Sequence, residues 1–252
     1  MPGITLSLRD AKNIAAALVP HASGDKVTPV LMNIAFGGSL GNYAVATNRY
    51  TVGRYDLTNI IDDMPEETFL IPAKVFSIVR QIGPATLPDE LYMDNYQLRI
   101  ETLTTQENVD YILLKVLWHY EDGSDMVHFM RTWRLPNWGG SHNFPPVHRF
   151  FDDAVLSTDR VQANLSAKYL DPFVSYAKHI DRPLLFSMIE PGAGIMNRTL
   201  SPVLVEIGHR FKGFIQPVTR VAADTGVDIL KANAERLAET ADATTLQKEG
   251  TE

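Results

Sequence analysis

The chain has 252 residues, 45% of them hydrophobic and 9% aromatic, which is enough apolar material for a buried core and enough length for two domains. Its formal charge of −7 and pI near 5.5 have the wrong sign for a protein that grips phosphate over its whole surface. The absence of cysteine excludes disulfides, thiolate metal sites and a cysteine nucleophile, and no apolar run approaches the ~20 residues that span a bilayer. The opening MPGITLSLRD reaches an acid at Asp10 and lacks the pattern of a secretion signal, so the expectation is a cytoplasmic protein that does not engage membranes.

Segment 8–20 places Leu8, Ala11, Ala15 and Leu18 at helical spacing, with Ser7 as its N-cap. Strands are expected at 29–37 and 42–57, joined through Gly37-Gly38-Ser39-Leu40-Gly41 as a hairpin. Segment 68–82 reads as a short strand and then a helix begun at Pro72, with Val75, Phe76, Val79 and Ile82 on its apolar stripe. Strands follow at 90–94, 96–103, 109–119 and 126–135, then an irregular stretch, PNWGGSHNFPPVHRF. A strand, RVQANL, begins at 160 and leads into a helix near Tyr169, with Pro172 in its first turn; LLFSMI, SPVLVEIG and FKGFIQPVTR read as three closing strands. Residues 224–252 hold seven acids, three bases and no aromatic residue, and read as a solvated tail with one possible helix over 227–241. Strand runs interrupted by amphipathic helices define an α+β fold with antiparallel sheets.

Catalytic patterns are sparse. The sequence holds no nucleophile elbow, phosphate-cradling glycine loop or dinucleotide fingerprint. His119 and His128 flank Glu121, Asp122 and Asp125, but their spacing matches no metal-ligand motif, and an acidic hairpin tip is ordinarily solvated. His142 and His148 lie near Asp152 and Asp153, with no nucleophile to serve. No catalytic residue, metal or cofactor is expected.

Charge is distributed unevenly. Segments 8–20, 72–82 and 166–182 together carry +4, leaving −11 on the rest of the chain. Basic helices on an acidic body suit a molecule whose helices alone face phosphate. The candidate DNA-facing residues are Arg9, Lys12, Lys74, Arg80, Lys168, Lys178 and Arg182.

Four segments, in order, resemble the bacterial β sliding clamp, the DNA polymerase III processivity ring. YAVATNRYTVGRYDL resembles the strands around that family's A-T-D-G-x-R-L-A motif, and FLIPAKVFSIVRQI its following strand and helix. MRTWRLPNWGGSHNFPPVHRFF resembles the segment that closes a domain. VQANLSAKYLDPFVSYAKH, with SPVLVEI and FKGFIQPVTR, is similar to the last half-domain. The resemblance covers residues 4–221, and the chain's shortness and divergence suggest a clamp-like protein of a bacteriophage, working in the host cytoplasm.

The resemblance implies a ring of pseudo-symmetric domains, with sheets outside and helices lining a hole for double-stranded DNA. It also implies a cleft that docks peptides of the DNA polymerase and clamp loader. Carried over, one wall of that cleft is Thr47, Arg49, Tyr50, Thr51 and Val52, and the other is Gln216, Pro217 and Val218. The sequence departs from the family's pattern at Tyr50, Thr51, Gln216 and Thr219. Domains are expected at 1–118 and, shortened, at 119–221, with 222–252 as an acidic tail; two domains per chain make a trimer the simplest six-domain ring, with a dimer as the alternative. The competing readings are a clamp-fold protein that modulates replication partners without encircling DNA, and an unrelated α+β enzyme.

Overall fold

The structure, a computed structural model, describes residues 3–58, 60, 64–82, 96–104, 110–120, 122–135, 143–158, 163–190 and 201–218. Contacts divide the chain into Met1–Pro217 and Val218–Glu252, and of the second unit only Val218 is among the described residues. The expected strand at 90–94 and helix at 227–241 lie outside them, as does the first half of the strand expected from 160, whose described half, Ala163–Leu165, is not a strand.

The chain opens with β1 (Gly3–Ser7) running straight into α1 (Leu8–Leu18). Ser7 caps the helix as its sequence predicts, its Oγ accepting from the Asp10 amide at 3.0 Å and donating to the Asp10 carboxylate at 2.7 Å. The helix stops at Leu18, short of the predicted Pro20, because Pro20 has no amide to continue the ladder; Val19–His21 closes as a 3-10 turn. β2 (Asn33–Phe36), β3 (Tyr43–Thr47) and β4 (Thr51–Asp56) follow.

The single strand expected over 42–57 is therefore a hairpin. Asn48 Oδ1 accepts from the amides of Tyr50 (3.0 Å) and Thr51 (2.8 Å), and Arg49 takes a φ of 77°, so the chain reverses inside a run whose polar alternation hides the turn. β5 (Phe69–Pro72) runs into α2 (Ala73–Val79), and β6 (Tyr96–Thr104), β7 (Asp110–His119) and β8 (Asp125–Arg134) complete a second unit built like the first. The boundary expected at 118/119 falls inside the β7–β8 hairpin, where Trp118 lies opposite Met126.

After the short α3 (Arg149–Asp152), a third unit contributes α4 (Ala167–His179), β9 (Leu184–Met188), β10 (Val203–Ile207) and β11 (Phe211–Ile215). α4 begins one residue after Ser166, so Pro172 lies inside the helix and not in its first turn as predicted.

Two antiparallel sheets result, β1-β6-β7-β8 and β5-β2-β3-β4-β11-β10-β9. Each of the first two units lends its opening strand to the other's sheet: β1 pairs with β6, and β5 with β2. The third unit enters the seven-stranded sheet through β4 and β11, where Gly53 lies opposite Gly213. The main core joins α1, α2 and α4 to the sheets through residues such as Leu8, Phe76, Phe173 and Phe211. Val52, Leu204 and Phe214 point to the other face of the seven-stranded sheet and form a smaller core under the strap that contains Phe144, Val147 and Phe151. Among the described residues no helix is long and apolar enough to cross a membrane.

Candidate functional site

The candidate basic residues occupy the helical side. Lys12 is half-buried on α1, while Arg9, Lys74, Arg80, Lys168, Lys178 and Arg182 are exposed on or beside their helices. His179, at the end of α4, links it to α1: its Nε2 lies 3.2 Å from Asn13 Oδ1. Burial, followed by the positive charges of Arg80 and Lys12, holds its pKa below the ordinary histidine range. Lys12 of α1, Arg80 just past the end of α2 and His179 of α4 therefore share an electrostatic neighbourhood.

Lys168 stands apart. It lies at the other end of α4, its Nζ 5.9 Å from the Tyr169 ring; ten residues of helix put it about 15 Å from Lys178. Arg182 borders a cavity of about 260 Å³ together with Asp10, Tyr55, Tyr176 and Arg210, so acid and base are mixed there.

The candidate cleft residues gather on the opposite face of the seven-stranded sheet. Arg49, Tyr50, Val52 and Gln216 line a cavity of about 490 Å³ with Phe150, Asp153, Ala154, Ile189, Glu190, Pro202 and Phe214. Thr47 and Thr51 are buried behind this wall. Thr47 Oγ1 donates to the Thr51 carbonyl at 2.9 Å and accepts from the Arg49 amide at 3.2 Å. The Gln216 amide donates to the Tyr50 carbonyl at 2.9 Å, joining the end of β11 to the β3–β4 turn. Tyr50 stacks on Tyr169 with centroids 4.5 Å apart, and the Arg49 guanidinium donates to Thr28 Oγ1. Pro217 is buried beside this wall and does not line the cavity; Val218 belongs to the second unit.

Sequence reasoning missed the strap that forms the facing wall. Phe151 stacks on Phe214 at 4.5 Å, and the Arg54 guanidinium lies between the rings of Tyr43 (4.3 Å) and Phe151 (4.2 Å), 3.5 Å from the Asp152 carboxylate. Arg54 is an inward cation on a strand of small and apolar neighbours, an irregularity in the sequence; its strap partners Phe151 and Asp152 are remote in the chain and leave no local signal.

Behind the cleft wall, His21 is fully buried between Phe173 (4.6 Å) and Phe211 (5.6 Å). Thr51 Oγ1 donates to Asn48 Oδ1 at 3.1 Å, so it accepts from His21 Nδ1 at 3.0 Å. Nε2 then carries the lone pair, in an apolar setting with no partner, and burial lowers the His21 pKa to about 3. Of the histidine–acid clusters noted in the sequence, Glu121, the His119 side chain and His142 lie outside the described residues, while His148 stands at the start of α3.

Lent opening strands, helices on one face of a shared sheet and a cavity on the other define the sliding-clamp fold. Solved structures similar to this chain include DNA polymerase III β sliding clamps. The clamp of Bartonella birtlesii, solved bound to griselimycin, matches with a TM-score of 0.51 at 13% identity over 86% of this chain and 66% of its own. The Thermotoga maritima β subunit matches at 0.49 and 12% identity, over 88% of this chain and 66% of its own. The Bacillus subtilis clamp matches at 0.46 and 11%, over 86% and 64%. The chain thus spans a little under two thirds of the length of the Bacillus subtilis protein. No protein-family model and no curated protein sequence matches it.

Proposed function

We propose that this protein is a DNA polymerase processivity factor that works by binding, without chemistry of its own, in the cytoplasm. Copies of the chain encircle duplex DNA with α1, α2 and α4 toward the phosphates, and the cleft takes short peptides of a polymerase and a clamp loader. The observation that carries this reading is the packing of His179 of α4 against Asn13 of α1, with Lys12 and Arg80 close enough for their charges to lower its pKa, on the sheet face opposite the cavity. It supplies a cationic lining on a protein whose net charge is −7. The cavity suits an apolar peptide anchor, with Tyr50, Val52, Phe150 and Phe214 around it and the Gln216 side chain at its rim.

With three strand–helix–strand units per chain among the described residues, in place of four, the six-domain ring implied by the sequence resemblance needs four chains and not three. Retention on a nicked circular duplex, and release when the circle is cut, tests encirclement. The double variant K74E/R80E should lose most of that retention while keeping its circular dichroism spectrum; full retention would remove α2 from the hole.

The second reading, a clamp-fold protein that occupies replication partners without encircling DNA, is favoured by the lone third unit, which leaves a single chain unable to complete its last domain. Equal retention on circular and linear DNA with peptide binding intact would select it.

A further inference from the structure

We infer that the third unit is completed by a second copy of this chain, through reciprocal exchange of the strand that precedes α4. The strand order is the starting point. Both sheets of the first two units begin with a strand lent by the other unit, and in each case that strand runs directly into a helix: β1 into α1, β5 into α2. The third unit has α4 and three strands but, among the described residues, no lent strand beside Leu184–Ser187 of β9. Only the end of that edge is covered: Leu156 bridges Ile189, and the Ser157 amide donates to the Met188 carbonyl at 2.9 Å.

Among the described residues this edge is apolar and open. Leu185 is 59% exposed, Phe186 49% and Leu156 55%, although Leu184 and Met188 on the Phe186 face pack against the main core. The segment that would fill it exists once in each chain. Ala163–Ser166 runs directly into α4, as β1 and β5 run into their helices, and among the described residues it pairs with no strand. A chain cannot lend this strand to its own third unit if it follows the rule of the first two, because the rule always crosses between units. A second copy, related by a two-fold axis, receives it and returns its own.

The earlier units also fix the register. The residue two before each helix, Leu6 or Ile71, lies opposite a buried residue of the receiving strand, Leu98 or Ile34. The corresponding residue before α4 is Leu165, and with the Met188 end of the edge taken by Ser157 its inward partner on β9 is Leu184, which packs against the main core. Met188 and Glu190 turn their backbone groups to the outer edge, so Leu184 and Phe186 do too, and Leu165 and Leu184 form a hydrogen-bonded pair. Asn164 and Leu185 then form the adjacent non-hydrogen-bonded pair, whose Cα separation of about 4.5 Å suits a disulfide.

The pairing rests on strand order alone and stands whether or not the protein encircles DNA. The test uses the full chain, which has no cysteine of its own. Under mild oxidation N164C/L185C should form a covalent dimer in high yield on a non-reducing gel, while either single variant stays monomeric on the gel. Light scattering of the unmodified protein at micromolar concentration should give about twice 28.1 kDa or a larger even multiple. Phe186→Glu should halve that mass with the same far-ultraviolet spectrum. A mass of one or three chains, a bridge closed within a single chain, or an unchanged mass for Phe186→Glu would overturn the proposal.

Discussion

His21 and Arg54 show how single side chains set the cleft. His21 is neutral in the folded protein and, once unfolded, titrates at its ordinary value near 6.5. Above that pH neither state is protonated, and the residue contributes no pH dependence. As pH falls from about 6.5 toward 3 the unfolded chain gains a proton that the folded one refuses, so stability drops, at up to about 1.4 kcal/mol per pH unit. Urea unfolding followed between pH 7 and 4.5 should show this slope, and His21→Gln should be less stable at pH 7 but flatter across the range. Arg54 acts on the strap: Arg54→Ala should weaken peptide binding in the cleft roughly tenfold, an energy in the range of a stacked, partly buried cation. Arg54→Lys should restore little of it, because an ammonium cannot lie flat between Tyr43 and Phe151. Fluorescence titration with a labelled polymerase peptide checks both. The cleft wall around Arg49 and Tyr50 was legible because it lies in one local motif, whereas the strap depends on a fold-level contact that no spacing encodes.

At the scale of elements, the β4–β11 junction depends on two facing glycines. A Cβ on Gly213 would stand 2.5 Å from Phe173 Cε1 and 2.6 Å from the Val52 carbonyl oxygen, and one on Gly53 would stand 2.7 Å from His21 Cδ2. The rings of α4 and of the turn after α1 fill the space these glycines leave. Gly213→Ala should therefore destabilise the protein by about 1–3 kcal/mol, measured by thermal or urea unfolding, since the Val52 backbone cannot move without its sheet. The helices were readable from their 3.6-residue periodicity, and β6, β7 and β8 from their length and apolar content. The β3–β4 turn was not, because an Asn48 side-chain hydrogen bond reverses the chain without a glycine or proline to mark it. Pro172 misled in the other direction: a proline in a helical pattern reads as a first turn, yet α4 carries it in the interior.

Over the whole molecule, the separation of charge seen in the sequence becomes a separation of faces, with helix cations on one side of the seven-stranded sheet and the cleft on the other. If DNA passes the helical side, its retention should fall steeply with added salt. It should also rise as pH drops below the ordinary histidine range, because His179, held low by burial and by Arg80 and Lys12, gains charge there. Retention assays across pH should show that rise in the unmodified protein and lose it in His179→Gln. The class of fold was legible because strand and helix alternation survives divergence. The number of chains in an assembly is not legible in the same way, because it depends on strand pairing between units that no local pattern encodes.

That missing half turns assembly into a question of parity. A molecule with an odd number of half-domains can satisfy every sheet edge of this kind only in even company. If a second copy completes the third unit as inferred, that unit is finished only at concentrations where two copies meet, and thermal stability should climb with protein concentration as it does for any chain whose fold includes a neighbour.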